Sequence, residues 1–267
     1  MMLTNLFFWC RVEMRNSGHI CIAPLEKFLF PVLLALSIAN CTPVAAGNQG
    51  HEQQNARAAA RLIEAEWPVR SANDPVTRYV QSLGEGLGNA VKEGRAVRWT
   101  FTVLRDRAPY AFSIGAGHVY LAEGAVTFVR NEAELAAILA HEIGHQLSGD
   151  LSAPAENRSF LNQEQELGRS VPPQRQKIGS LTQIYDLEKE KEADRRALII
   201  LQKRGFDPQA LVDVLQRLPP SGSYHYYNDE RRTHALRQEL AGMPRQSRQD
   251  SGSFKTIRNL VQNEQGQ

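Results

Sequence analysis

The amino-acid sequence predicts an α+β fold, mainly helical, with one small sheet. Three observations carry that prediction. A capped, apolar-periodic segment covers residues 132–148, and helical periodicity returns over 181–201. Period-two alternation is confined to residues 97–104, where Val97, Trp99, Phe101 and Val103 make one face of a half-buried strand. Of the 267 residues, 42% are hydrophobic and 22% charged, a composition that can bury a core as ordinary soluble domains do. The 31 basic residues against 29 acidic ones leave a formal net charge of +2, and no basic block is dense enough to track phosphates. Nucleic acid is therefore excluded as a partner.

The elements follow in chain order. The apolar run over 28–39 is too short for the about 20 helical residues that cross roughly 30 Å of hydrocarbon. Flanked by Arg15 and Lys27, it reads as the centre of an export signal over 1–40, with Met14 as an alternative start. Two cleavage sites compete. Ile38-Ala39-Asn40-Cys41 is similar to a lipobox, in which Cys41 would carry a lipid anchor, and Val44-Ala45-Ala46 is an ordinary small-x-small site. Cys10 and Cys21 lie in or before the signal, so the exported chain keeps one cysteine at most and no intrachain disulfide. These features place the protein in a bacterial periplasm, free or anchored to the outer membrane.

Residues 41–70 read as a small, polar tether and a first helix with Ala58, Leu62 and Ala65 on its apolar face, ended by Trp67-Pro68. The main domain is expected over 71–244. Asp74-Pro75 opens a helix whose apolar face is Val76, Tyr79, Val80, Leu83 and Leu87, with an end softened by Gly84, Gly86 and Gly88. After the alternating strand, short strands are expected over 111–114 and 118–121, around Gly115-Ala116-Gly117. Asn131 followed by Glu134 is a capping-box pattern for the helix over 132–148, which Gly149 closes. The polar stretch 150–180 is too long for an ordinary connection and is expected to form a flap beside a cleft. Asp207 and Pro208 open a helix through Leu218. A loop with three tyrosines (219–227), a last helix (229–241) and a polar tail (245–267) expected to fray complete the chain.

The chemistry centres on His141-Glu142-Ile143-Gly144-His145. Two histidines four apart on a helix project from one face, close enough to share an ion. Neutral imidazole suits zinc, and a catalytic zinc takes three protein ligands and leaves one position open. Glu142, next to the first histidine, can take a proton from water there and pass it to a leaving amine. Two surface histidines would show the same spacing, but Ala136, Ala137 and Ala140 suit a helix packed closely on its neighbours. A third ligand must come from elsewhere. Glu188, Glu190, Glu192 and Asp194 are the candidates on a second helix, where Glu190 and Asp194 share one face and Glu188 and Glu192 another. A charged helix face is the plain alternative for that run.

At this point the sequence resembles a family. His-Glu-Ile-Gly-His, followed after 44 residues by Glu190-x-Glu192-Ala193-Asp194, is similar to the M48 zinc metallopeptidases, their exported bacterial members in particular. Residues 110–121 resemble the family's strand pair Asn-Ala-Phe-Ala-x-Pro-Gly-Gly-x-Ile-Tyr, with departures at Tyr110, Gly115 and Ala116, and residues 131–136 lead into the histidine helix as they do there. The resemblance implies a zincin-type metallopeptidase domain whose small sheet edges the active-site cleft. It implies one Zn2+ per chain, held by His141, His145 and Glu190, with Glu142 as the catalytic base. Asp194 would hydrogen-bond a ligand histidine and fix its tautomer. Glu188 and Glu192 are left to solvent and His118 stays outside the metal site, while the strand around His118-Val119-Tyr120 is expected to edge the cleft and pair with substrate backbone. Thr233-His234 resembles the family's Thr/Ser-His-Pro element, with Ala235 in place of the proline, which makes His234 a second catalytic candidate.

The expected function is zinc-dependent endopeptidase cleavage of envelope proteins in quality control, with protein or peptide substrates as partners. The alternative is a chaperone-like outer-membrane assembly factor that holds clients in the same groove and rarely cleaves them.

Overall fold

A computed structural model describes residues 45–150, 186–218, 229–246, 248 and 250–266 of the protein. The export signal, Cys41, the flap expected after Asp150 and the tyrosine loop lie outside these residues.

Helix α1 (Ala45–Glu66) starts within the stretch read as a tether and stops before Pro68. Its buried face is not the expected one. Ala58, Leu62 and Ala65 are exposed, whereas Ala56, Ala59, Ala60, Ile63 and Trp67 are buried. The stripe that wins holds Ile63 and Trp67, which together offer more apolar area than one leucine. Helix α2 (Pro75–Gly88) begins as read, with Asp74 accepting the Val76 N–H at 2.8 Å and proline at its first position. Gly84 and Gly88 do more than soften its end. A Cβ at either would meet the Phe101 or Trp99 ring at 2.3 Å, so these glycines let the sheet's aromatics lie on the helix.

A 3-10 turn (Glu93–Ala96) leads into β1 (Thr100–Leu104), β2 (Ala111–Gly115) and β3 (His118–Ala122). The sheet order is β1-β3-β2, with β1 parallel and β2 antiparallel to β3. The strand expected at the cleft edge, around His118-Val119-Tyr120, is therefore the central one, and β1 and β2 are the outer strands. The β2–β3 turn is left-handed at Gly115, Ala116 and Gly117 (φ 94°, 49° and 85°), which explains glycine at two of the three positions.

Helix α3 (Glu123–Phe128) precedes α4 (Glu132–Leu147), where Asn131 accepts the Glu134 N–H at 2.9 Å. The return bond of the capping box falls one residue earlier than expected, from the Arg130 N–H to Glu134 at 2.7 Å. Helix α5 (Leu187–Lys203) follows Asp186, which is extended and caps it, and residues 181–185 of the stretch read as one helix or two lie outside the described residues. Helices α6 (Gln209–Arg217) and α7 (Glu230–Leu240) follow, the latter capped by Asp229. The tail expected to fray forms α8 (Gly252–Gln265), capped by Ser251, with Phe254, Ile257 and Val261 buried. An i, i+3, i+7 stripe of three apolar residues is enough to dock an otherwise polar helix. The Arg70 guanidinium holds it further, contacting Glu264 at 2.5 Å and Glu123 at 2.8 Å.

Helix α4 lies at the centre. Leu135, Ala136, Ala137, Leu139, Ala140 and Ile143 are fully buried, between α5, α2, α6 and the sheet. Among the described residues no helix is long and apolar enough to cross a membrane.

Candidate metal centre

Helices α4 and α5 bring His141, His145 and Glu190 together, all three buried. What allows this is Gly144. A Cβ there would lie 2.5 Å from the Ala193 carbonyl oxygen and 3.0 Å from its Cα, so a side chain at 144 would force the two helices apart. Glycine and alanine at the crossing place Glu190 beside the histidines.

The two Nε2 atoms and the two carboxylate oxygens of Glu190 form a compact donor cluster. His141 Nε2 and His145 Nε2 are 3.0 Å apart, His141 Nε2 and Glu190 Oε2 are 3.3 Å apart, and His145 Nε2 and Glu190 Oε1 are 3.4 Å apart. Tetrahedral ligands about 2.0–2.1 Å from a zinc ion would be roughly 3.3 Å apart. Glu190 Oε2 is buried, and although it ion-pairs with Arg232 Nη1 at 2.8 Å it accepts no hydrogen bond among the described residues. The donor set and its spacing fit a divalent metal.

Each histidine is oriented through its other nitrogen. His141 Nδ1 lies 2.9 Å from Asp194 Oδ1, and His145 Nδ1 lies 3.2 Å from Asp150 Oδ2. Both contacts favour a proton on Nδ1 and a lone pair on Nε2, the arrangement a ligand histidine needs. Burial alone would lower the His145 pKa, but Glu190 beside it and Asp150 on Nδ1 outweigh burial and hold it up to about 10. His141 is likewise raised, against burial and the neighbouring His145, by Asp194 and Glu190. Burial pushes Glu190 up, but Arg232 and the histidines hold its carboxyl well below the usual range, and Asp194 is lowered in the same way. The group is therefore built to hold positive charge, and a cation on these atoms would take the place of the protons.

Two residues that sequence reasoning overlooked complete the centre. Arg232 on α7 is fully buried. Its Nε and Nη2 each lie 2.7 Å from Asp194 in a bidentate pair, and Nη2 is 3.4 Å from both ring nitrogens of His141, as for a guanidinium lying against the ring. Asp150 is the other, one turn beyond the second histidine. A charged residue in phase with Leu236 on the buried face of an amphipathic helix was the available signal for Arg232. His234 is not brought to the centre. It is exposed, and none of the described contacts of the group involves it. Glu192 pairs with Arg196 at 3.0 Å and Glu188 with Lys191 at 2.8 Å, both away from the histidines, and His118 lies on β3.

Glu142 is buried and lines a cleft together with His141 and Arg232. Tyr110 and Ala111, where β2 begins, form one side of the cleft, and α6 forms another.

Residues 75–241 match the family model described as Peptidase family M48. The chain is 30% identical over 199 residues to the beta-barrel assembly-enhancing protease of Escherichia coli (66% of this chain, 39% of the relative). It is 32% identical over 174 residues to the protein of the same name in Yersinia pestis (57% and 34%). It is also 26% identical over 178 residues to the mitochondrial metalloendopeptidase OMA1 of Schizosaccharomyces pombe (62% and 52%). The match thus spans 34% to 39% of the length of these two bacterial relatives.

Proposed function

The chain belongs to peptidase family M48, a family of metallopeptidases, and from that premise we propose that it is a zinc-dependent endopeptidase acting on envelope proteins. The observation that carries the reading is the cluster of His141, His145 and Glu190 donors with Glu142 at the same cleft. Two imidazoles and a carboxylate are a donor set used by catalytic zinc, with one position left for the reaction. Bound there, zinc supplies Lewis acidity that polarises a peptide carbonyl and acidifies water.

The chain's own residues do the rest. Glu142 takes a proton from the attacking water and returns it to the leaving amine, work for which a positioned carboxylate suffices. Asp194 and Asp150 keep the Nε2 lone pairs of His141 and His145 turned inward. Arg232 neutralises Asp194 and braces Glu190, so that two buried carboxylates are tolerated together. Strand β2, as the outer strand on the cleft side, offers backbone for an extended substrate to add to.

An envelope setting rests on the export signal over 1–40, with either Cys41 lipidated or cleavage after Ala46. The names of the bacterial relatives favour a second reading, in which the protein also assists outer-membrane assembly by holding clients in the same groove. One comparison tests the first reading: zinc content and casein cleavage of the purified exported chain beside its Glu142→Gln variant. Wild-type cleavage, lost in a variant that still holds zinc, is the expected result. Equal rates would end the reading. Loss of casein cleavage with retained client holding in Glu142→Gln would support the dual role.

A further inference from the structure

Helix α8 lies beyond residues 75–241, the part that matches the family model, and its two ends are held by different means. At its start Phe254, Ile257 and Val261 are buried, and reciprocal bonds tie it to the first turn of α4. The Glu132 N–H donates to Asp250 at 2.7 Å, and the Ser251 N–H donates to Glu132 at 2.9 Å. At its far end the contacts are polar and reach solvent. The exposed Arg107 donates from Nη2 to the Gln265 carbonyl at 2.7 Å, and Glu264 pairs with Arg70 and with Arg105. We propose that α8 is a strap whose polar end sets the rim of the cleft, so that freeing this end weakens substrate binding and leaves the metal centre intact. The effect on substrate rests on the endopeptidase reading, and the strap itself on the fold.

The strap's end lands on the segments that build one side of the cleft. Arg105 and Arg107 belong to the turn that delivers Pro109 and Tyr110 to the cleft wall. Asp106 shapes this turn, accepting the Ala108 N–H and the Tyr110 hydroxyl at 2.9 Å each, and its carbonyl accepts the Gly124 N–H at 2.8 Å. Those bonds fix the turn's own form and join it to α3. The two arginines join it to α8. Helix α3 meets the same end: the Thr127 hydroxyl donates to the Gln265 side chain, which donates to Glu123, both at 3.5 Å. Phe128, the last residue of α3, also lines the cleft.

The end is also built to detach before the start does. Buried apolar contact is not replaced by water, whereas exposed hydrogen bonds and ion pairs are individually weak because water competes for both partners. Arg70 is fully buried, yet it keeps Glu123 at 2.8 Å and Asp74 at 3.1 Å when Glu264 leaves. No buried cation is stranded by the release. The last turn of α8 can therefore open locally while Phe254 and Ser251 keep the helix on the domain. The donors on α4 and α5 take no part in these contacts.

The test is Arg107→Met combined with Glu264→Gln in the full chain, beside Arg107→Lys, which keeps a donor. Amide hydrogen exchange read by mass spectrometry should rise about two- to fivefold over residues 106–112 and stay at wild-type rates over 135–147. Zinc content should not change. KM for a long extended peptide should rise by a similar factor at constant kcat. The dissociation constant of that peptide from the zinc-stripped Glu142→Gln protein, read by fluorescence anisotropy, should rise in parallel when the two substitutions are added. Arg107→Lys should lie near wild type in every assay. Should the wild type cleave nothing while exchange over 106–112 quickens and peptide affinity falls, the peptidase reading fails and the strap stands. Unchanged exchange over 106–112 overturns the strap, as does faster exchange without loss of peptide affinity. An equal rise over 135–147 overturns it too, since α8 would then only stabilise the domain as a whole.

Discussion

Helices α4 and α7 reach the same centre by opposite means. Helix α4 contributes His141, His145 and Glu142 from among the buried Leu135, Ala136, Ala137, Leu139, Ala140 and Ile143, and is held by close contact, with Gly144 against the Ala193 backbone. Helix α7 has a polar composition and contributes one group, Arg232, held by charge to Asp194 and Glu190. The difference separates two tasks. One helix carries the reacting groups and must be placed by shape, because shape sets distance. The other supplies compensation, which depends on charge balance and acts through Asp194 and Glu190.

The largest expected effect tests whether chemistry is confined to α4 and its partner α5. Glu142→Gln should lower peptide hydrolysis about 10²- to 10⁴-fold while zinc content stays at one ion per chain, since it removes a proton acceptor and no ligand. His141→Ala, His145→Ala and Glu190→Ala should each lose zinc by metal analysis, whereas Glu188→Ala and Glu192→Ala should keep it. Zinc loss with Glu192→Ala and retention with Glu190→Ala would move the ligand by two residues and break the picture of the α4–α5 crossing.

The compensating helix should show its role in stability. Arg232→Met leaves Asp194 and Glu190 buried without their cation, a loss of about 3–5 kcal/mol. Zinc supplies positive charge to the same group and binds only the folded chain, so the loss should be larger in chelator than with zinc. Denaturant unfolding with and without zinc measures both values. An equal loss in the two conditions would mean that Arg232 braces α7 rather than balancing the centre.

How far the two helices could be read from sequence follows the same division. The α4 signal is local: a cap, an apolar period and two histidines one turn apart stand within one helix. Glu190 and Asp194 lie one turn apart, but so do Glu188 and Glu192, and the resemblance to the family chose between the two pairs. Arg232 meets Asp194 across 38 residues and His141 across 91, and no periodicity records such a contact. The Thr233-His234 pair drew the reading to the other face of α7, where His234 is exposed. The face of α1 was misjudged for a related reason, since Leu62 and Ile63 each anchor an acceptable stripe and only the sheet beneath decides between them. The burial of α8 was hidden by its polar composition, because docking required only three apolar residues in phase.

Gly144→Ala tests placement by shape alone. Alanine is the better helix former by about 1 kcal/mol, which favours the variant. Against this, its Cβ would meet the Ala193 carbonyl at 2.5 Å, and relieving such overpacking costs about 1–3 kcal/mol. Net destabilisation is expected, together with weaker zinc retention against chelator, because α5 must shift and carries Glu190 with it. A variant as stable as the wild type with unchanged zinc affinity would show that the crossing has slack.

The smallest effect concerns how the outer strand is set against the metal helix. Gln146 follows His145, and its amide clamps the β2–β3 turn, accepting the Gly117 N–H at 2.7 Å and donating to the His118 carbonyl at 2.9 Å. Neither contact touches the donors, so Gln146→Ala should leave zinc content and kcat close to wild type. Its stability cost should be about 1 kcal/mol, because Gln146 and His118 are half-buried and water can replace part of what is lost. What should change is KM for long extended peptides, rising a few-fold as β2 loses its register with the cleft, while short peptides that barely reach the strand are unaffected. Gln146→Glu keeps the acceptor and loses the donor, and should fall between the two. A fall in kcat at constant KM would mean that the turn positions the reacting groups themselves. The sheet would then belong with α4 as part of the chemistry rather than as the rail along which substrate is laid.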